Sequence, residues 1–411
     1  MKKSVLLPFT LISVFGTCCV LPGCEDDSYT DQEEVPQNVK VSTTIRKETA
    51  KKDALSAAKS FLSGQDGIQR TIESVAALMG GEKNTDTIAY ACNFAENAGF
   101  VIVAADSRVT DRIVVCADQG RFSEDSDNPG FSMLLDHIKN YTERKIAAAA
   151  AKSEKKAKSL KKLTADGDSL IELPALQVGP LIKTAWNQIA PYNAFIDTCP
   201  SSGTPYYTGC TLTALAQLIG YYNQPGIEMM PEMTAQKYAY DLDDFHKIWV
   251  GILFRCLWRD LPKVFNNCAV GVDGYKAMKY LQEYGYQTQA STFYSSQSIL
   301  KSVAESHPVM VTSATFSGGH TWLMDGYRTE QYRSASDSTN VVEGDTYYHI
   351  NWGWGGDCDG WFAGGCFDVD AAVEYDKHYH INSNHNYMDG LTFFYAWPKP
   401  QEEAVMLNTD N

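Results

Sequence analysis

Between Leu173 and Pro398 the hydrophobic pattern changes period once and does not change back. Apolar residues recur at helical spacing over 209–223 and again over 273–284, where Ala277, Met278, Tyr280 and Leu281 share a face. Val309–Thr312, Thr321–Tyr327, Thr346–Asn351 and Leu391–Trp397 then read as strands. A doubly wound sheet needs strands and helices to alternate, so this order specifies an α+β fold, helices first and antiparallel strands after.

At 411 residues the chain is too long for one ordinary domain. A small α+β module precedes the larger one. Its helix runs from Lys51 to Gly64 with Leu55, Ala58, Phe61 and Leu62 on one face. Strands follow over Thr87–Phe94 and Gly99–Asp106, with a third at Ile113–Cys116, and the module ends near Phe122. Residues 131–146 carry a helical stripe of Met133, Leu134, Ile138 and Tyr141. The alanine run Ala147–Ala151 and the lysines at 152, 155, 156, 158, 161 and 162 offer no apolar face. They read as an exposed helix fading into a linker near Thr164–Asp168, a solvated spacer open to cleavage.

The N-terminus is Met1-Lys2-Lys3, an apolar run from Val5 to Val20, then Leu21-Pro22-Gly23-Cys24. This is a signal peptide in form, too short to span a membrane comfortably. It resembles a bacterial lipobox, which implies a signal peptide over 1–23, lipidation of Cys24 and a polar tether over 24–40. Glu25-Asp26-Asp27 then looks like a sorting signal for the outer membrane or cell surface.

Cys210 follows a glycine and opens the helical run of Leu212, Leu215, Leu218, Ile219 and Tyr222. A thiol there meets the positive end of the helix dipole, which favours the nucleophilic thiolate. His320 follows Gly318-Gly319 at the mouth of a strand, where an imidazole can take a thiol proton and return one to a leaving amine. Asn351, at the end of another strand, could orient that imidazole, and Trp352 beside it could shield the bond. Gln188 lies 22 residues before Cys210 and could donate to an oxyanion together with the Cys210 backbone N–H.

Trp186-Asn187-Gln188 with Pro191-Tyr192-Asn193, then Gly209-Cys210 opening a helix that contains Ala216-Gln217, then Gly318-Gly319-His320, then Asn351-Trp352-Gly353-Trp354-Gly355-Gly356 followed by Asp359-Gly360 occur in this order. The set resembles the streptopain family of papain-like cysteine proteases and spans about 176 to 398. The resemblance implies a two-lobed protease domain over 173–400, with a helical lobe and an antiparallel β lobe. It also implies Cys210 as nucleophile, His320 as base, Gln188 as oxyanion donor, support from Asn351 and Trp352, and a preference for a hydrophobic residue at the second position before the cleaved bond. Gly99–Asp106 looks like the core of a streptopain-type propeptide, which makes 41–165 an inhibitory propeptide ending in the lysine-rich linker. Protein or peptide substrates, the chain's own propeptide as inhibitor, and a membrane reached through the N-terminal lipid are the partners implied.

The formal net charge of -15 argues against nucleic acid. No CxxC or HExxH occurs, and His378, His380 and His385 share a loop without a carboxylate geometry suited to a metal, so neither metal nor cofactor is expected. Two other readings use the same scaffold. One is a transglutaminase or amidase, which would pair the histidine with an aspartate a little downstream in the next strand. The other is a non-catalytic surface lipoprotein, which would have no need of both Cys210 and His320. The stretch Tyr238–Asn267, rich in Trp, Phe and Asp, matches nothing in the family pattern.

Overall fold

Each segment's local chemistry decides where its element starts and stops. The computed structural model describes residues 44–62, 68–81, 85–126, 128–163, 170–315, 318–334, 341–379 and 390–400. Cys24, His380 and His385 lie outside them. The first module holds α1 (Lys47–Leu62), β1 (Ile72–Gly80), β2 (Asp86–Phe94), β3 (Phe100–Ala104), β4 (Ile113–Ala117) and α2 (Pro129–Leu163). Then come β5 (Leu170–Val178), α3 (Cys210–Tyr222), α4 (Met230–Met233), α5 (Asp244–Asp260), β6 (Val264–Asn266), β7 (Ala269–Gly271), α6 (Gly274–Glu283), β8 (Tyr286–Ser291), α7 (Ser296–Ala304), β9 (Val309–Thr315), β10 (Gly318–Ser334), β11 (Val341–Asn351), β12 (Gly360–Ala363), α8 (Val369–Tyr379) and β13 (Leu391–Pro398).

The α+β class is as expected, but the helix-then-strand order is not clean: β5 precedes α3, β6, β7 and β8 lie among the helices, and α7 and α8 fall among the later strands. Two features go beyond the sequence reading. β4 of the first module pairs with β12, Cys116 opposite Trp361, so one antiparallel sheet runs β1-β2-β3-β4-β12-β11-β10-β9-β13-β8 through both modules. β12 has only four residues, too few to show an alternating pattern. Secondly, β10 is long because its first half pairs with β9 while its second half pairs with β5, a strand the sequence does not announce.

Two cores flank this sheet. The first is shared by the modules: Phe61, Phe100 and Phe131 join Tyr347, Trp352 and Phe362. The second fills the helical lobe with Trp186, Leu212, Leu215, Phe254, Trp258 and Phe394. β10 contributes to both, since alternate side chains point to opposite faces of a strand. Trp322 and Met324 enter the first core and Leu323 the second. The stretch after Tyr238 is mostly α5. Asp243 caps it by accepting the His246 N–H at 3.0 Å, and Val250, Phe254, Leu257 and Trp258 are buried. Cys199 and Cys268 form a disulfide that ties the loop before α3 to the β6–β7 hairpin.

Candidate active site

The helix that carries Cys210 is held from both ends. Gly209 precedes it with φ 88°, and a β-carbon there would sit 2.6 Å from the Val270 carbonyl oxygen, so only glycine lets the chain turn into the helix at this point. Thr211–Gly220 are all buried, and Asn223 ends the helix in a left-handed conformation. Thr211 Oγ1 lies 2.9 Å from Thr321 Oγ1, which pins the first turn of α3 to β10 next to His320.

Cys210 is half-buried, with the His320 imidazole close enough to act on its thiol. Burial pushes the thiol up, but the His320 charge and hydrogen bond, with further bonds from Thr321, outweigh it and leave the thiol lowered to about 7. The His320 ring is itself buried, and its Nε2 lies 2.9 Å from the Trp352 carbonyl oxygen. A carbonyl only accepts, so Nε2 carries the proton there and Nδ1 is left for the sulfur.

That bond corrects one expectation. Asn351 does not orient the imidazole with its side chain. Its Nδ2 donates to the Thr184 carbonyl at 2.8 Å, and its Oδ1 accepts from Gln217 Nε2 at 2.9 Å and from the Gly353 N–H at 3.2 Å. Gln217 Oε1 in turn accepts from Thr184 Oγ1 and the Trp186 N–H. Asn351 and Gln217 thus join the Trp186–Gln188 strip to the loop after β11. The motif is used, one residue further along and through the backbone. Trp352 is fully buried, its ring centroid 6.2 Å from that of His320, and its indole N–H donates to the Cys358 carbonyl.

Gln188 is buried, and its carbonyl accepts the Thr208 N–H at 3.0 Å, two residues from Cys210. Asp359, given no role in the sequence reading, accepts the Trp352 N–H at 2.8 Å and so holds the residue whose carbonyl meets His320, one peptide ahead of that carbonyl. Burial, helped by Asp118, pushes its carboxyl up to about 8. Asp325 is not paired with His320: it lies 2.7 Å from His349 Nδ1.

The first module reaches this site directly. Asn128 Oδ1 caps α2 by accepting the Phe131 N–H at 3.1 Å, while its Nδ2 donates to the Asp357 carbonyl at 2.6 Å. Between them, Gly130 packs against the imidazole. A β-carbon at 130 would be 2.4 Å from His320 Cδ2 and 2.4 Å from Trp352 Cε3. The edge of His320 away from the sulfur is therefore covered by backbone. Elsewhere the modules are joined by Arg328 to Ser60 Oγ at 2.8 Å, Tyr332 to Asp111 at 2.8 Å, and Lys145 to Asp345.

Comparison with known proteins agrees with this arrangement. The peptidase C10 family matches residues 186–247 and 244–362, and the Spi protease inhibitor family matches residues 44–142. The thiol protease/hemagglutinin PrtT of Porphyromonas gingivalis is 25% identical over 326 residues, 67% of this chain and 34% of PrtT, so the chain spans about a third of that protein. Streptopain of Streptococcus pyogenes is 24% identical over 340 residues, covering 69% of this chain and 75% of streptopain. A fragment of prointerpain A from Prevotella intermedia shares the fold, with a TM-score of 0.50 at 15% identity over 78% of this chain and 97% of the fragment. A thiol paired with an imidazole, and a Spi-type segment lying over that imidazole, have one common reading: residues 186–362 form a peptidase C10 domain, of the streptopain family of cysteine proteases, and residues 44–142 form the Spi-type inhibitor in front of it.

Proposed function

We propose that this cysteine protease cuts internal peptide bonds through the Cys210 thiolate. His320 takes the thiol proton at Nδ1. The sulfur adds to the scissile carbonyl, and the oxyanion formed is met by the Cys210 N–H and the Gln188 amide. His320 returns the proton to the leaving nitrogen, the C–N bond breaks, and an acyl-thioester remains. Water, deprotonated by the same imidazole, attacks the thioester and restores the thiol. The observation that carries this reading is the lowered Cys210 thiol beside a His320 held by the Trp352 carbonyl. The same observation weighs against the transglutaminase reading, because the ring nitrogen that an aspartate would hold is held by the Trp352 carbonyl. By likeness to the family, a hydrophobic side chain is preferred at the second position before the cleaved bond.

Export and anchoring complete the proposal. The lipobox-like Leu21–Cys24 would tether the precursor to the outer membrane or cell surface, and cleavage in the lysine-rich linker would release the protease from its anchor. Cys210→Ala should give a folded precursor that neither cleaves peptides nor processes itself. Self-processing by the purified variant would remove Cys210 from the mechanism. Active enzyme confined to the membrane fraction with its anchor intact would remove the release step.

A further inference from the structure

Gln119 of the propeptide occupies a polar seat beside the active site. Its backbone carbonyl accepts the Cys358 N–H at 3.2 Å, continuing the ladder from β4. Its side chain extends over the loop after Trp352. There Oε1 accepts from Lys237 Nζ at 3.2 Å and from the Tyr238 hydroxyl, while Nε2 donates to the Gly355 carbonyl at 3.3 Å. Two donors facing one acceptor describe a primary amide, since a carboxylate would set an oxygen against the Gly355 carbonyl.

The seat is part of the protease and not of the propeptide. The Gly355 N–H donates to the Trp186 carbonyl at 3.1 Å, and the Ala185 N–H donates to the Lys237 carbonyl at 2.7 Å. The strip that ends at Gln188 is therefore stitched to the seat on both sides. The seat also lies on a definable side of the reaction. His320 must protonate the leaving nitrogen, so the departing half of the substrate passes over the loop that holds His320, and Gly355 is three residues beyond Trp352 on that loop.

We propose that, once the propeptide is gone, Lys237, Tyr238 and the Gly355 carbonyl form a subsite for a glutamine side chain on the leaving-group side of the cleaved bond. This rests on the peptidase reading above. It gives a role to the start of the Tyr238–Asn267 stretch, which the sequence motifs left without one. The propeptide blocks the seat with the side chain the seat is built to hold.

The test uses enzyme processed to completion from the full chain. It is given peptides with a constant acyl half and Gln, Glu, Ala or Lys at each of the first four positions after the bond. Gln at one position should raise kcat/KM about tenfold over Ala, the worth of one or two hydrogen bonds including one from a charged donor, with Glu below Gln. In Tyr238→Phe and Lys237→Met the Gln-to-Ala ratio should fall towards one. The ratio is read within each variant, so a general loss of activity does not imitate the result. Absence of a Gln preference at all four positions, a preference for Glu over Gln, or a ratio unchanged in both variants would overturn the subsite. Processed wild-type enzyme that cleaves no peptide at all would overturn the peptidase reading as well.

Discussion

At the scale of single residues, the chemistry rests on how far the surroundings of Cys210 offset its burial. The thiolate is the reactive form, so alkylation of Cys210 should rise with pH to a half-maximum near 7, well below the ordinary thiol value of 9.0. Iodoacetamide labelling followed by mass spectrometry of the Cys210 peptide measures this directly. In His320→Ala burial of the thiol stands less opposed, and the midpoint should move up. A midpoint near 9 in the wild-type protein would mean that His320 does not poise the thiol. Cys210 and His320 were legible because each sits at a recognisable local feature, a glycine before a helical run and a glycine pair before a strand. The acceptor for His320 was not legible, because it is a backbone carbonyl and a backbone atom has no letter of its own. Gln217 offered a signal that went unused: an amide between Ala216 and Leu218 on a buried helix needs partners, and those partners proved to be Asn351, Thr184 and Trp186.

At the scale of elements, the start of α2 is the part of the propeptide that touches the imidazole. Gly130→Ala puts a methyl group where His320 and Trp352 already are. Overpacking of this kind costs about 1–3 kcal/mol. The variant precursor should melt at a lower temperature and process itself sooner. The mature enzyme it yields should match the wild type, since residue 130 is no longer present. Calorimetry and a processing time course check both halves, and an unchanged melting temperature with unchanged processing would show that the contact yields freely. The longer elements were readable from periodicity, α3 and α6 to within a residue or so. β12 and β5 were not: the first is too short to alternate, and the second is defined by its pairing with β10 and not by its own pattern. α5 reads as an aromatic-rich segment until its partners Trp186, Tyr192 and Tyr206 are known.

At the scale of the molecule, the sequence shows two modules and a linker, and the structure shows that they are one folded body. Order of motifs identified the modules. It could not show that β4 would join β12 or that Phe61, Phe131, Tyr347 and Phe362 would lie in a common core, because contacts between distant segments leave no periodic trace in either. The shared ladder separates two events that are easily treated as one. Severing the chain near residue 165 breaks a covalent bond and leaves every strand pairing, ion pair and aromatic contact between the halves in place. A nicked and silent intermediate should therefore accumulate, and proteolytic activity should lag behind the appearance of the cut on a denaturing gel. Dilute denaturant, which loosens the interface without touching the nick, should shorten that delay. What times the enzyme's onset is the peeling of one β-strand from another.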